Sequence, residues 1–130
     1  MAAPKYVPGV CNIGPGQIRV RLIFGMLGTG ITLVMWTLLD ALDAPVAWYW
    51  LLTAPAAAAA LGFLQARSRF CADFGLRGVF NMDPAITGMD TPVQAKYRTQ
   101  DQQKALHILF YSVVLGALAA ALAVGVTYLR

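Results

Sequence analysis

The sequence predicts an all-α membrane protein of one domain. It has three transmembrane helices, a cytoplasmic N-terminus, and a cytoplasmic connection carrying an amphipathic helix between the second and third spans. Three observations carry this reading. First, hydrophobic residues make up 58% of the 130-residue chain and charged residues only 12%, against about 45–50% and about 25% in a soluble domain. Second, residues 18–39, 46–66 and 105–129 are each apolar over the roughly 20 residues that cross about 30 Å of hydrocarbon. Third, the charges gather at the ends of these stretches. A formal charge of +4 that is spread over membrane flanks, with no basic polar face, argues for bilayer orientation and against a nucleic-acid partner.

Residues 1–17 form the N-terminal segment. With Pro4, Pro8, Pro15, Gly9, Gly14 and Gly16 they lack the apolar core of a signal peptide, so no cleavage is expected. The first span follows, with Arg19 and Arg21 at its entrance able to snorkel and Asp40 and Asp43 beyond its exit. The second span opens with Trp48, Tyr49 and Trp50, residues suited to the headgroup layer, and closes at Arg67 and Arg69. Pro55 is expected to kink it slightly. The short connection makes the first two helices an antiparallel hairpin whose turn holds two acids and no base. Every basic residue except Arg130 lies before the first span or between the second and third, so the positive-inside rule puts those segments in the cytoplasm.

The cytoplasmic connection spans residues 67–104. Phe70, Phe74 and Phe80 alternate there with Arg69, Asp73 and Arg77, as in a short amphipathic helix at the interface. Residues 81–90, with Pro84 and Gly88, read as a loop. Thr91, Pro92 and Gln94 have capping-box spacing with proline first in the helix, and the helix that starts there runs through polar turns into the third span. That span has no polar face, so it crosses the membrane and does not lie on it.

In lipid, helices meet through small residues at four-residue spacing. Ala54, Ala58 and Gly62 show it on the second span and Ala117, Ala121 and Gly125 on the third, while Gly25, Gly28 and Gly30 narrow the first. These surfaces serve packing within the chain or on a partner. No acid, base or amide lies deep in a span, which argues against a transporter. His107, the single histidine, either faces the headgroups or ligates a haem or chlorophyll-type metal. No intrinsic cofactor is expected. Trp36, Trp48, Trp50 and Phe110 offer apolar walls for lipid, quinone or pigment at a partner interface, although interfacial aromatics more often act as anchors.

The two cysteines, Cys11 and Cys71, flank the hairpin and so approach the same membrane face. On a reducing side a thiol pair exchanges electrons, carries sulfur or shares a metal, and Arg19, Arg67 and Arg69 would favour thiolate. Against this, there is no CxxC and two ligands are half of a tetrahedral zinc site. Small residues filling packed turns are the plainer reading.

Cys11-Asn12-Ile13-Gly14-Pro15, then Ile18-Arg19-Val20-Arg21 and Gly25, resemble the opening of a widespread family of small bacterial inner-membrane proteins of unknown function. The same unit is similar to the membrane part of some rhodanese-type sulfurtransferases. Gly62-Phe63-Leu64-Gln65-Ala66-Arg67 and Phe70-Cys71 resemble the family's second helix end, so the resemblance covers residues 10–81. Ala72 stands where the family has proline after the cysteine, and the third helix lies outside the family's usual two-helix unit. The resemblance implies a multi-pass protein of the bacterial inner membrane and a role for Cys11, Asn12, Gly14, Arg19, Arg21 and Cys71. Asn12 is expected to brace a turn, Gly14 to adopt positive φ and the arginines to anchor to phosphates. The expected function is a non-catalytic accessory or assembly subunit on a larger integral membrane complex, one of energy conversion or electron transfer. The alternatives are a cytoplasmic-face thiol relay through Cys11 and Cys71, and a small oligomeric channel or transporter.

Overall fold

The computed structural model describes residues 5–84 and 90–130; positions 85–89 of the expected loop, Gly88 included, lie outside the described residues. Helix α1 spans Pro15–Ala41. It starts earlier than the hydropathy boundary because Pro15 occupies the first turn, where its missing N–H costs nothing. Asp43, at φ 48°, turns the chain back.

The second span does not begin as an α-helix. Val46–Leu52 is a 3₁₀ segment and α2 follows over Thr53–Ser68. Residues three apart are eclipsed in a 3₁₀ helix, which sends Tyr49 and Leu52 into the core (2% and 1% exposed) and leaves Trp48 and Trp50 outside. The aromatic cluster expected at the headgroups is therefore divided. Pro55 falls in the first turn of α2, where no hydrogen bond is lost; the irregularity is this change of helix type and not a kink within α2.

Helix α2 ends at Arg69, which is left-handed at φ 53°. Helix α3 covers Ala72–Arg77, β1 covers Val79–Phe80 and β2 covers Thr91–Pro92, with Val79 opposite Pro92 in an antiparallel pair. Phe70 and Phe74 are buried while Asp73 and Arg77 are exposed, so α3 has one apolar face, and that face packs on the rest of the chain. One expectation changes here. Thr91 and Pro92 form a strand, and α4 starts later, over Ala95–Tyr128 with Gln94 as its N-cap. Its 34 residues measure about 50 Å, longer than the roughly 30 Å of a hydrocarbon core, and its polar first turns run without a break into the apolar stretch.

Helix α2 lies between α1 and α4. A Cβ on Gly62 would lie 2.7 Å from the Arg21 carbonyl oxygen and 2.8 Å from Gly25 Cα; one on Gly116 would lie 2.7 Å from Ala57 Cβ. The seam of α2 is Ala56, Ala59, Gly62 and Ala66, and that of α4 is Ala105, Ile108, Ser112, Gly116, Ala120 and Ala123. Gly25 and Gly28 are buried on α1. Ala54, Ala58, Ala121, Gly125 and Gly30 face outward, and Ala117 is half-buried. Of the expected repeats on these two helices only Gly62 lies in a seam; on α4 the buried repeat is also of four, Ile108, Ser112, Gly116 and Ala120, one residue out of register with Ala117, Ala121 and Gly125.

Three helical spans, Pro15–Ala41, Val46–Ser68 and Ala95–Tyr128, are long and apolar enough to cross a membrane, and only 17%, 22% and 28% of their most apolar windows are buried. The rest requires an apolar surrounding. A cluster of Tyr49, Leu52, Ala120 and Ala123 holds the hairpin-turn end, and a cluster of Phe70, Ala72, Ala105 and Ile108 the other.

Candidate functional site

The chain before α1 makes a tight turn over residues 8–10, closed by Val7 pairing with Cys11, and polar contacts fix it to the ends of α2 and α4. Tyr6 Oη donates to Asp101 Oδ2 at 2.7 Å and the Gly9 N–H donates to Asp101 Oδ1 at 2.7 Å. The Tyr6 ring stacks on Phe80, with centroids 4.3 Å apart. Burial first, then the hydrogen bond to Asp101, pushes the Tyr6 phenol well above its ordinary value.

Asn12, which is 0% exposed, is the centre. Its side-chain amide donates to the Cys71 carbonyl at 3.1 Å, and its side-chain oxygen accepts the Cys71 N–H at 2.7 Å. Its backbone N–H donates to the Arg69 carbonyl at 3.0 Å, and its backbone carbonyl accepts the Asn81 N–H at 2.9 Å. One residue therefore joins the N-terminal segment, the end of α2, the start of α3 and the chain after β1. Gly14 lies next to it in extended conformation (φ −92°), not at positive φ. Glycine is required there for space, since a Cβ would lie 2.7 Å from the Asp83 carbonyl oxygen.

Cys71 is buried, and its Sγ accepts a hydrogen bond from Arg21 Nη2 at 3.0 Å. Arg21 thus turns inward to the thiol, whereas Arg19 is exposed. The expected arginine neighbours of the sulfur were Arg19, Arg67 and Arg69; the one in contact is Arg21. Its Nε is buried without a partner. Gln65, 6% exposed, accepts the Ala72 N–H at 2.9 Å. Two grooves of about 230 and 290 Å³ share Arg21, Leu61 and Gln65, and the larger includes Cys71. The arrangement places a thiol and a guanidinium at the base of a groove. Cys11 is half-exposed, its thiol donating to the Lys5 carbonyl at 3.2 Å, and neither cysteine is in a disulfide. Among the described residues no group of three His, Cys, Asp or Glu side chains is placed to hold a metal ion.

His107 is exposed on α4. It lines a separate cleft of about 430 Å³ with Arg67, Lys104 and Tyr111. Trp48, Trp50 and Phe110 are 56%, 50% and 64% exposed, so they wall no internal cavity, while Trp36 packs against the Tyr49 cluster.

Gln65, Asp101 and Tyr6 did not stand out in the sequence. The signal for Gln65 is an amide that follows directly on the long apolar run of α2, ahead of Arg67; Asp101 sits in a polar run where nothing distinguishes it from its solvated neighbours. Comparison of the chain with protein-family models, with curated proteins and with solved structures found no match. The resemblance of residues 10–81 to the small inner-membrane family therefore rests on its motif residues alone.

Proposed function

We propose that the chain is a non-catalytic accessory or assembly subunit that packs, within the bacterial inner membrane, on a larger integral membrane complex of energy conversion or electron transfer. The supporting observation is the register of the small residues. The internal seams use Gly25, Gly28, Ala59, Gly62, Gly116 and Ala120, which leaves Ala54, Ala58, Ala121 and Gly125 turned outward. A Cβ on Gly125 would meet nothing within 4 Å. Small outward residues let another helix approach closely, a geometry that fluid acyl chains do not need. The test is mild-detergent purification from the native membrane with mass spectrometry of what co-migrates. A stoichiometric larger complex, lost in Ala58→Leu or Gly125→Leu while the chain itself stays folded, is the expected result. Recovery of the chain alone, or a complex indifferent to both substitutions, overturns the proposal.

One observation favours a second reading, the thiol relay: Arg21 Nη2 stands 3.0 Å from Cys71 Sγ at the base of a groove. A persulfide or mixed disulfide on Cys71 in the native protein would support it. Unmodified thiols, together with a Cys71→Ser variant of full function, would remove it. A channel has less support. Thr29, Thr32 and Ser112 each donate to the carbonyl four residues back in their own helix, at 2.9, 2.7 and 2.7 Å, so each hydroxyl proton is already used within the helix.

A further inference from the structure

The geometry points to a binding site for one anionic phospholipid in the cleft between the C-terminal end of α2 and the part of α4 that enters the apolar layer. The cleft holds about 430 Å³, room for a headgroup and the first carbons of its chains. Its α4 wall is Lys104, His107, Ile108 and Tyr111, whose spacing of three, four and seven puts them on one helix face. Its α2 wall is Leu64 and Arg67. Along both helices the order is the same: the cationic side chain comes at the end nearer the connection, and the apolar one lies a turn deeper. A phospholipid has the same gradient, with a phosphate ester above and acyl carbons below.

Charge decides the headgroup. Ion pairs among the described residues join Arg77 to Asp73 and Arg130 to Asp40, and neither involves Arg67 or Lys104. No carboxylate lines the cleft, so two cations and an imidazole converge with nothing anionic to balance them. Ser68, also in the wall, turns its hydroxyl proton to the Leu64 carbonyl, which leaves Arg67, Lys104, His107 and the Tyr111 hydroxyl as the donors. A zwitterionic headgroup would bring an ammonium group that finds no acid in this lining. A free phosphate would leave Leu64 and Ile108 without an apolar partner. This site is independent of the accessory-subunit reading, since the outward small residues take no part in it.

The test uses the full chain in nanodiscs of phosphatidylcholine doped with phosphatidylglycerol, followed by native mass spectrometry of the lipids that stay bound. Wild type and R67K/K104R are expected to retain phosphatidylglycerol in preference to phosphatidylcholine. R67Q/K104Q is expected to retain it about 30-fold more weakly, the weight of two interfacial charges, while K96Q/R98Q, which removes equal charge elsewhere on α4, changes little. Equal losses in the two neutralised variants would show general surface attraction and overturn the site. Displacement of the lipid by inorganic phosphate would overturn it in favour of a soluble anion. Should R67Q/K104Q not fold, phosphatidylglycerol with a photoreactive acyl chain on the wild type decides. Crosslinks at Leu64, Ile108 or Tyr111 support the site, and crosslinks spread over α1 sink it.

Discussion

Asn12 is fully buried, and its side chain spends both polar groups on the backbone of Cys71. Asn12→Ala therefore strands one buried N–H and one buried carbonyl, at about 1–3 kcal/mol for each group left unpaired. We expect a loss of roughly 2–6 kcal/mol in detergent unfolding, together with faster maleimide labelling of Cys71 in the folded protein. In the wild type Cys11 labels first, because Cys71 is 1% exposed; equal labelling rates would contradict this packing. The same segment carries a pH dependence. The Tyr6 phenol is raised in the folded protein by burial and by Asp101, so the folded state keeps its proton where the unfolded chain loses it. The stabilisation is complete below the unfolded value of about 10 and declines as pH rises past it. Thermal unfolding should show wild type more stable than Tyr6→Phe at neutral pH, with the gap narrowing above about pH 10. A gap that stays constant would show that the tether does not titrate.

At the scale of elements, the hairpin of α1 and α2 depends on Gly62 lying against Gly25 and the Arg21 carbonyl. Gly62→Leu should cost about 1–3 kcal/mol or more, since overpacking here meets backbone that cannot yield. Ala58→Leu and Gly125→Leu, which point outward, should leave the isolated chain within about 0.5 kcal/mol of wild type. Comparable losses at all three positions would disprove the assigned register. The three apolar stretches and the long polar entry to α4 were legible in the sequence because length and hydropathy act along the chain. The register was not: alanine and glycine occur on every side of α2 and α4, so no periodic contrast marks the buried face. The start of α4 was misread for a related reason. Thr91 and Pro92 satisfy a local capping pattern, but pairing with Val79 and Phe80 uses them as a strand.

At the scale of the molecule, Asp40 ties the hairpin-turn end together. It accepts the Tyr49 hydroxyl at 2.8 Å and pairs with Arg130 at 2.8 Å. Arg130 is largely exposed, so Arg130→Gln should cost under about 1 kcal/mol. Asp40→Ala should cost more, about 1–3 kcal/mol, because it removes the acceptor of the buried Tyr49 hydroxyl as well as the partner of Arg130; thermal unfolding of the two variants side by side checks the order. The proposed orientation is tested in a C11S/C71S background. An impermeant thiol reagent added to intact cells should label Asp43→Cys, and should label Asp90→Cys only once the membrane is opened. The reverse pattern would invert the topology drawn from the basic residues.

The sequence by itself determined the solvent and the number of apolar spans, because transfer into lipid is a sum over consecutive residues and needs no knowledge of neighbours. The resemblance singled out Cys11, Asn12, Gly14, Arg19, Arg21 and Cys71, of which Arg19 is exposed and the Cys11 thiol bonds to the nearby Lys5 carbonyl, while Asn12, Gly14, Arg21 and Cys71 are held by contacts with other segments. Only the tertiary structure decided what each of them touches: Asn12 on the Cys71 backbone, Arg21 on the Cys71 sulfur, and Gly14 against the chain after Asn81. The same holds for Arg67 and His107, far apart along the chain and brought to one cleft by the antiparallel run of α2 and α4. Hydrogen bonds and close approaches depend on distance in space, and that distance was set when small residues let three helices pack together.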